Sequence, residues 1–278
     1  MENKILFKSK LRVVNDKIFI TAKYFDETYN FIVDSCGIKN TLYWETHKAL
    51  AEKNGFKAEA YITLKNTTLF FDFGAPNVPK MDFLPQSEFN SNQFRKGMNG
   101  LICPQNLVED GYIIYNFKSN NLIGFDGTEK EVQNLFPKET FYSTPFTYET
   151  EWKFPVIYAS TKSQPDIKYP YLLDTGASIT VMPSDSIQKN KITHKTSVMV
   201  FADSTEVQHK VAKDVIVKIG KHMSELISVH SYDGNHPKLS KEILQNGESA
   251  KGLLNIAVFK NKIIAIPCKD ALPILISK

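Results

Sequence analysis

Short runs of apolar and β-branched residues, separated by turn residues, dominate the chain. The clearest of these runs cover residues 17–24, 29–33, 60–73, 154–159 and 214–219. Runs rich in Val, Ile, Phe, Tyr and Thr are typical of strands, and long segments with a helical period are scarce. The pattern therefore predicts an all-β protein with a few short helices.

The predicted elements occur twice in the same order. In each half a strand ends in an aspartate, a hydroxyl residue and a glycine turn, which read Asp34-Ser35-Cys36-Gly37 and Asp174-Thr175-Gly176-Ala177-Ser178. Another strand precedes each motif. A short helix follows each, at about residues 43–53 in the first half and from Pro183-Ser184 in the second, where serine is a good helix cap.

The later parts of each half also correspond. Each helix is followed by a candidate hairpin, and each hairpin is followed by a glycine, two aliphatic residues, a helix-like stretch and a strand. The glycine motifs are Gly100-Leu101-Ile102-Cys103 and Gly252-Leu253-Leu254-Asn255. The predicted hairpin turns contain Leu64, Lys65 and Asn66 in the first half and Ala202, Asp203 and Ser204 in the second.

This order of parts indicates that one β-rich lobe is duplicated within the chain. The two aspartates are 140 residues apart (174 − 34). A linker is predicted within residues 125–151, which contain turn residues and a run of charges. We therefore predict an N-terminal lobe of residues 1–135 and a C-terminal lobe of residues 136–278.

Composition narrows the classes of partner and compartment. The 278 residues are 42% hydrophobic and 23% charged, as in soluble globular proteins, and the net charge is only +4 without a block of basic residues. We expect neither nucleic acid nor a membrane as partner. The N-terminus lacks a signal-peptide core and the three cysteines are widely spaced, so we expect a cytoplasmic protein, although a signal removed before cloning would leave the same sequence. The six histidines have no metal-ligand spacing and are expected at the surface or in turns, so no metal and no cofactor is predicted.

The two aspartate motifs have the chemistry of a paired site. A buried carboxylate needs hydrogen-bond donors or a shared proton. Gly176 lets backbone amides approach Asp174, and Thr175 adds a hydroxyl beside it. If Asp34 lies beside Asp174, the two carboxyl groups hold one proton between them, which supplies both a general base and a general acid.

The motif Asp174 to Ser178, with apolar residues on both sides, resembles the active-site motif of the aspartic proteases, in particular the retropepsin-like branch. Two such motifs in one chain resemble the single-chain, pepsin-like arrangement. The resemblance implies a two-lobed acid-protease fold with pseudo-two-fold symmetry and a cleft, in a monomer whose two lobes act as an intrachain dimer. It implies an endopeptidase that hydrolyses an extended polypeptide substrate by means of Asp34 and Asp174.

The resemblance also implies roles for the neighbouring residues. Ser35 and Thr175 would brace the two catalytic loops against each other, and Gly37, Gly176 and Ala177 would support them. The hairpin turns at Leu64, Lys65 and Asn66 and at Ala202, Asp203 and Ser204 would cover the bound substrate.

The chain departs from the family pattern in several places. Cys36 stands where glycine is expected, Lys39 and Asn40 stand where aliphatic residues are expected, and Cys103 and Asn255 replace the glycines of the two later motifs. Two alternatives therefore stay open: a catalytically degenerate protein that binds a peptide or has a structural role, and a homodimeric protease that uses Asp174 only. Carboxyl groups of Asp34 and Asp174 within hydrogen-bonding reach would favour the single-chain enzyme.

Overall fold

The protein is described here from a computed structural model, which covers residues 4–24, 27–37, 39–53, 55, 64–67, 70–71, 81–86, 98–200, 205–244, 246–269 and 272–278. Strands make up 51% of the chain, about twice the fraction of an average globular protein, and they form two sheets. The all-β prediction is confirmed.

The strands are β1 (Ile5–Val14), β2 (Lys17–Tyr24), β3 (Glu27–Val33), β4 (Thr41–Tyr43), β5 (Leu64–Thr67), β6 (Phe70–Phe71), β7 (Met81–Gln86), β8 (Gly100–Ile102), β9 (Tyr112–Asn116), β10 (Asn121–Phe125), β11 (Phe141–Thr144), β12 (Phe146–Tyr148), β13 (Pro155–Thr161), β14 (Gln164–Leu173), β15 (Thr180–Pro183), β16 (Ile192–Val200), β17 (Glu206–Val215), β18 (Val217–Ile219), β19 (His222–Met223), β20 (Ile227–Tyr232), β21 (Gly252–Leu254), β22 (Ile263–Pro267) and β23 (Ile274–Ser277). The α-helices are α1 (Trp44–Lys53) and α2 (Glu129–Leu135). Short 3₁₀ helices cover Pro104–Asn106, Ser184–Ser186, Lys189–Lys191, Leu239–Lys241 and Ile256–Phe259.

The two halves of the chain build the same arrangement of strands. The first half has the order β2-β3-β8-β4-β7-β5, and the second has the order β13-β14-β21-β15-β20-β17. Each step has the same sense in both halves: antiparallel, parallel, antiparallel, parallel and antiparallel. The internal repeat that the sequence predicts is therefore present in the strand pairing of the described residues.

The register at the two aspartates is also equivalent. Val33 pairs with Ile102 and Leu173 pairs with Leu254, so each aspartate directly follows the end of a parallel strand pair. The glycine that begins each inner strand is needed for close packing. A Cβ atom at Gly100 would lie 2.1 Å from a backbone oxygen of β4, and one at Gly252 would lie 2.2 Å from a backbone oxygen of β15.

A continuous antiparallel sheet joins the two halves in the order β1-β10-β9-β22-β23-β11. Strand β9 of the first half pairs with β22 of the second, with Ile114 opposite Ala265. On either side of this pair the strands match: β10 corresponds to β23, and β1 corresponds to β11 with β12, which Pro145 separates. The boundary after residue 135 stays a prediction. It falls at the last residue of α2, while β22 and β23 return to the sheet that contains the first half.

The hydrophobic core extends across the sheet that the two halves share. One cluster of buried side chains contains residues of both halves, including Phe31, Tyr115, Tyr171 and Ile264. Alternation along β1 buries Phe7, while four of its last five residues face solvent. Among the described residues, no helix has the length and apolar character needed to cross a membrane.

Both predicted helices lie where the sequence predicts them, but only the first is an α-helix. Residues 44–53 form α1, close to the predicted 43–53. In the second half the predicted helix is only the single 3₁₀ turn Ser184–Ser186. Its short length leaves room for β16 to begin at Ile192.

Candidate active site

Asp34 and Asp174 lie at equivalent positions, each at the first residue after a strand. The backbone N–H of Asp34 donates to the oxygen of Ile102 at 2.9 Å, and that of Asp174 donates to the oxygen of Leu254 at 2.9 Å. The parallel neighbour thus fixes the start of each loop. Both aspartates are half-buried, so each keeps one exposed side.

The two loops are tied together by Ser35 and Thr175. The backbone N–H of Ser35 donates to Thr175 Oγ1 at 3.0 Å, and the backbone N–H of Thr175 donates to Ser35 Oγ at 3.0 Å. Each hydroxyl then donates into the opposite half, from Thr175 to the oxygen of Val33 at 2.8 Å and from Ser35 to the oxygen of Leu173 at 2.5 Å. Both residues are almost completely buried. These four hydrogen bonds join the two aspartate loops across the halves.

The carboxyl group of Asp34 lies against the loop of Asp174, and the two carboxyl groups act on each other's pKa. Burial raises the pKa of both groups. The negative charge of Asp174 raises the pKa of Asp34 further, well above its usual range. Two like charges in a site with little water cannot both persist, so the pair keeps its shared proton to higher pH than a single aspartate would.

The two carboxylates accept different numbers of hydrogen bonds from backbone amides. Oδ1 of Asp174 accepts from the N–H groups of Gly176 and Ala177, both at 2.9 Å. Oδ1 of Asp34 accepts from the N–H of Cys36 at 2.9 Å, whereas the N–H of Gly37 turns to the backbone oxygen of Asp34 at 3.2 Å. Amide donors stabilise the charged form of a carboxylate. The negative charge of the pair is therefore stabilised more at Asp174 than at Asp34.

Gly176 and Cys36 occupy equivalent positions with different surroundings. A Cβ atom at Gly176 would lie 2.5 Å from Cγ of Asp34, so only glycine permits this approach of the second loop to the Asp34 carboxyl group. The side chain of Cys36 turns aside, with its Sγ 3.6 Å from the oxygen of Leu173, and packs against an apolar cluster of the second half. The backbone of Cys36 thus supplies the same amide as glycine would. Burial, followed by the charges of Asp174 and Asp34, raises the pKa of its thiol, which opposes a role as a nucleophile.

Neighbouring residues accommodate the departures from the family pattern at Cys103, Asn40 and Asn255. A Cβ atom at Gly37 would lie 2.5 Å from Sγ of Cys103, so the missing side chain at Gly37 makes room for the thiol. Asn40 accepts from the N–H of Cys103 at 2.8 Å, as Thr180 accepts from the N–H of Asn255 at 3.1 Å.

The hairpin residues are only partly within the described part of the chain. Strands β16 and β17 pair antiparallel up to Val200 opposite Glu206, which confirms the second hairpin, while Ala202, Asp203 and Ser204 lie outside the described residues. In the first half the predicted turn position is wrong. Leu64, Lys65 and Asn66 belong to strand β5, which pairs with β7 and corresponds to β17. Pairing with a distant strand overrides the turn preference of asparagine.

Lys17 is a charged neighbour of the pair that the sequence reading missed. Ile18 pairs with Val33, so Lys17 lies opposite Asp34 at the end of the β2–β3 pair. Its positive charge acts on both aspartates and opposes the rise in pKa that burial causes. The sequence does contain a signal for this position. The Asn15-Asp16 turn places Lys17 at the start of β2, and the register of the β2–β3 hairpin then places Lys17 opposite Asp34.

The prediction that the histidines lie at the surface or in turns is wrong for several of them. His47, His209, His222 and His236 are buried rather than exposed. Nε2 of His209, in β17, lies 3.0 Å from Nε2 of His236, and Nδ1 of His236 accepts from the N–H groups of Lys238 and Leu239, each at 3.2 Å. Because Nδ1 of His236 is an acceptor, its Nε2 carries the proton and donates to Nε2 of His209. The pair is neutral in the folded protein.

We expect this histidine pair to make the protein less stable in mild acid. Burial, the largest cause, lowers the pKa of His209 and of His236 to about 4. In the unfolded chain both titrate near their usual value of about 6.5, so the unfolded state binds more protons between these values. The neutral histidine pair makes its full contribution to the free energy of unfolding above about pH 6.5. We expect the free energy of unfolding to fall by about 2–3 kcal/mol between about pH 7 and 5.

The measurement is denaturant unfolding across this range in wild-type protein and in His209→Gln. Glutamine keeps an acceptor for His236 without titrating, so the loss of stability on acidification should be about halved. His194→Gln is the matched control, since His194 is exposed. An unchanged pH dependence in His209→Gln would contradict the assignment.

Within the described ranges, no group of three or more His, Cys, Asp or Glu side chains is arranged to hold a metal ion. No model of a known protein family matches the chain. A search of curated proteins likewise found no match.

Proposed function

We propose that this protein is an aspartic endopeptidase, in which Asp34 and Asp174 together activate water to cleave an extended polypeptide. The observation that carries the proposal is the close approach of the two carboxyl groups on equivalent loops, in which the Asp34 carboxyl group lies against Gly176 of the Asp174 loop. The exchange of hydrogen bonds between Ser35 and Thr175 supports it, because this exchange fixes the two loops at a constant distance.

The strand arrangement supports a two-lobed acid-protease fold for the chain. Each half contributes one aspartate from the end of a parallel strand pair, and the β9–β22 pair joins the halves about a pseudo-two-fold axis. We propose that the hairpin of β16 and β17, whose strands pair antiparallel up to Val200 opposite Glu206, covers a bound substrate. An extended peptide would bind in the cleft between the lobes.

In the first step of the proposed mechanism, Asp174 acts as the general base. Its carboxylate removes a proton from a water molecule as the water oxygen bonds to the carbonyl carbon of the scissile peptide. Asp34, which holds the shared proton, donates it to the carbonyl oxygen. The product is a neutral tetrahedral diol, and the proton now lies on Asp174.

In the second step the roles reverse. Asp174 donates its proton to the nitrogen of the scissile bond, Asp34 takes a proton from one hydroxyl of the diol, and the C–N bond breaks. The products are a carboxylic acid and an amine, and the pair regains its initial state. The unequal amide donors at the two carboxylates support this division of roles.

The two alternatives differ in what they require of Asp34. A homodimer that uses Asp174 only would leave Asp34 without a function, yet Asp34 already lies against Asp174 in the same chain. A binding protein that has lost catalysis would not need a shared proton. The pair within one chain favours a catalytic monomer.

The test is cleavage of a denatured protein by wild-type protein across about pH 3 to 8, with new termini identified by mass spectrometry. We expect cleavage that is inhibited by a peptide analogue carrying a secondary alcohol in place of the scissile carbonyl, since such a group mimics the tetrahedral intermediate. A metal chelator and a thiol-alkylating reagent are controls, and neither should inhibit.

The outcomes separate the alternatives. Tight binding of the peptide analogue without cleavage at any pH would favour the binding protein and overturn the proposal. Activity per chain that rises with protein concentration would favour the homodimer.

A further inference from the structure

The side chain of Gln105 contacts the Asp34 loop. Its Nε2 donates to the backbone oxygen of Ser35 at 3.2 Å and to that of Gly37 at 3.0 Å. Both partners are acceptors, so the orientation of the side-chain amide is fixed. Gln105 follows β8 and lies within the 3₁₀ helix Pro104–Asn106.

One of these bonds acts on the peptide group that faces Asp34. The peptide between Ser35 and Cys36 has its oxygen bound by Gln105 and its N–H directed at Oδ1 of Asp34, at 2.9 Å. The peptide group is planar, so fixing its oxygen also fixes the direction of its N–H. Gln105 therefore sets the aim of the amide that Asp34 accepts.

The second half has no side-chain amide at the equivalent position. Ala257 stands at the position equivalent to Gln105 and carries no donor. There the Asp174 carboxylate is held by two backbone amides, those of Gly176 and Ala177. In the first half Gly37 does not supply the second amide to Oδ1, so the aim of the Cys36 amide matters more.

We propose that Gln105 is a positioning residue for Asp34: its side-chain amide holds the Ser35–Cys36 peptide so that the Cys36 N–H stays directed at the Asp34 carboxyl group. The inference rests on the proposed function for its catalytic consequence, but its structural claim can be measured without activity. It assigns a role to a residue outside the aspartate motifs.

The test compares Gln105→Met, similar in length but without donors, with Gln105→Ala, the residue found at the equivalent position of the second half. With the amide no longer held, we expect the pKa of Asp34 to rise by about one unit, because a hydrogen bond to the charged form is weakened. Carboxyl ¹³C NMR titration of protein labelled at aspartate, assigned with Asp34→Asn, measures this shift. Gln133→Met, on the exposed side of α2, is the matched control and should leave the titration unchanged.

A pH profile supplies the catalytic readout. The alkaline limb of kcat/KM, which reports loss of the Asp34 proton, should move up by the same amount, the acid limb should stay in place, and kcat should fall by about 10-fold. A folded Gln105 variant with an unchanged Asp34 titration would overturn the inference, even if wild-type protein is an active protease. If wild-type protein cleaves nothing, the proposed function fails while the titration still tests Gln105.

Discussion

Asp174→Asn is expected to lower kcat/KM for polypeptide cleavage by about 10²–10⁴-fold, the range that a general base contributes. An asparagine can still accept the amides of Gly176 and Ala177 through its oxygen, so the loop keeps its hydrogen bonds. It cannot take a proton from water. The loss should therefore fall on kcat, with the affinity for a peptide analogue changed much less.

Asp34→Asn is the companion variant and should lose activity in the same range, because the general acid is removed. Its effect on stability separates chemistry from folding. The folded-state pKa of Asp34 is raised, so this group costs stability as pH rises from its unfolded value of about 3.9 through its folded value. Asp34→Asn removes that cost, and we expect its free energy of unfolding at neutral pH to equal or exceed that of wild-type protein.

Steady-state kinetics and denaturant unfolding of the same preparations test both statements. An inactive Asp34→Asn protein that is as stable as wild type would support a catalytic role. Full activity in either variant would rule out the paired mechanism. Asp185→Asn is a suitable control, since Asp185 bonds to Tyr169 on the protein surface.

The second large effect is expected at the brace between the loops. Thr175→Val keeps the shape of the side chain but removes its hydroxyl, which leaves the N–H of Ser35 and the oxygen of Val33 buried without partners. An unsatisfied buried polar group costs about 1–3 kcal/mol, so we expect a loss of about 2–6 kcal/mol in the free energy of unfolding. The loops would also separate, and activity should fall with stability.

The brace can be distinguished from a general packing effect. Thr175→Ser restores the hydroxyl and should recover most of the stability. Thr193→Val removes a hydroxyl that donates to the oxygen of Val211 and accepts from the exposed N–H of Lys195. Because water can replace it at the Lys195 N–H, this change should cost about 1 kcal/mol or less. A double-mutant cycle of Thr175→Val with Ser35→Ala should be strongly non-additive, because the two hydroxyls belong to one network. Additive effects would contradict that coupling.

Much of the fold was predictable because its signals are local. Alternating and continuous runs of β-branched residues mark strands such as β2 and β3, and both aspartates sit where a strand meets a glycine turn. The repeated order of these local signals predicted the partner of Asp174. The turn assigned to residues 64–66 was wrong because β5 owes its conformation to pairing with β7, a contact that composition does not reveal.

The sequence by itself determined the all-β class, the duplicated order of parts, and the positions of Asp34, Asp174, Ser35 and Thr175, because each is written in short-range pattern and spacing. Only the tertiary structure decided which backbone amides each carboxyl group accepts, how Cys36 is accommodated, and which groups Lys17, Gln105 and a buried histidine pair lie against. These properties depend on single hydrogen bonds and charges between segments far apart in the chain, as in the 68 residues that separate Gln105 from Gly37. Such contacts exist only after the strands have paired.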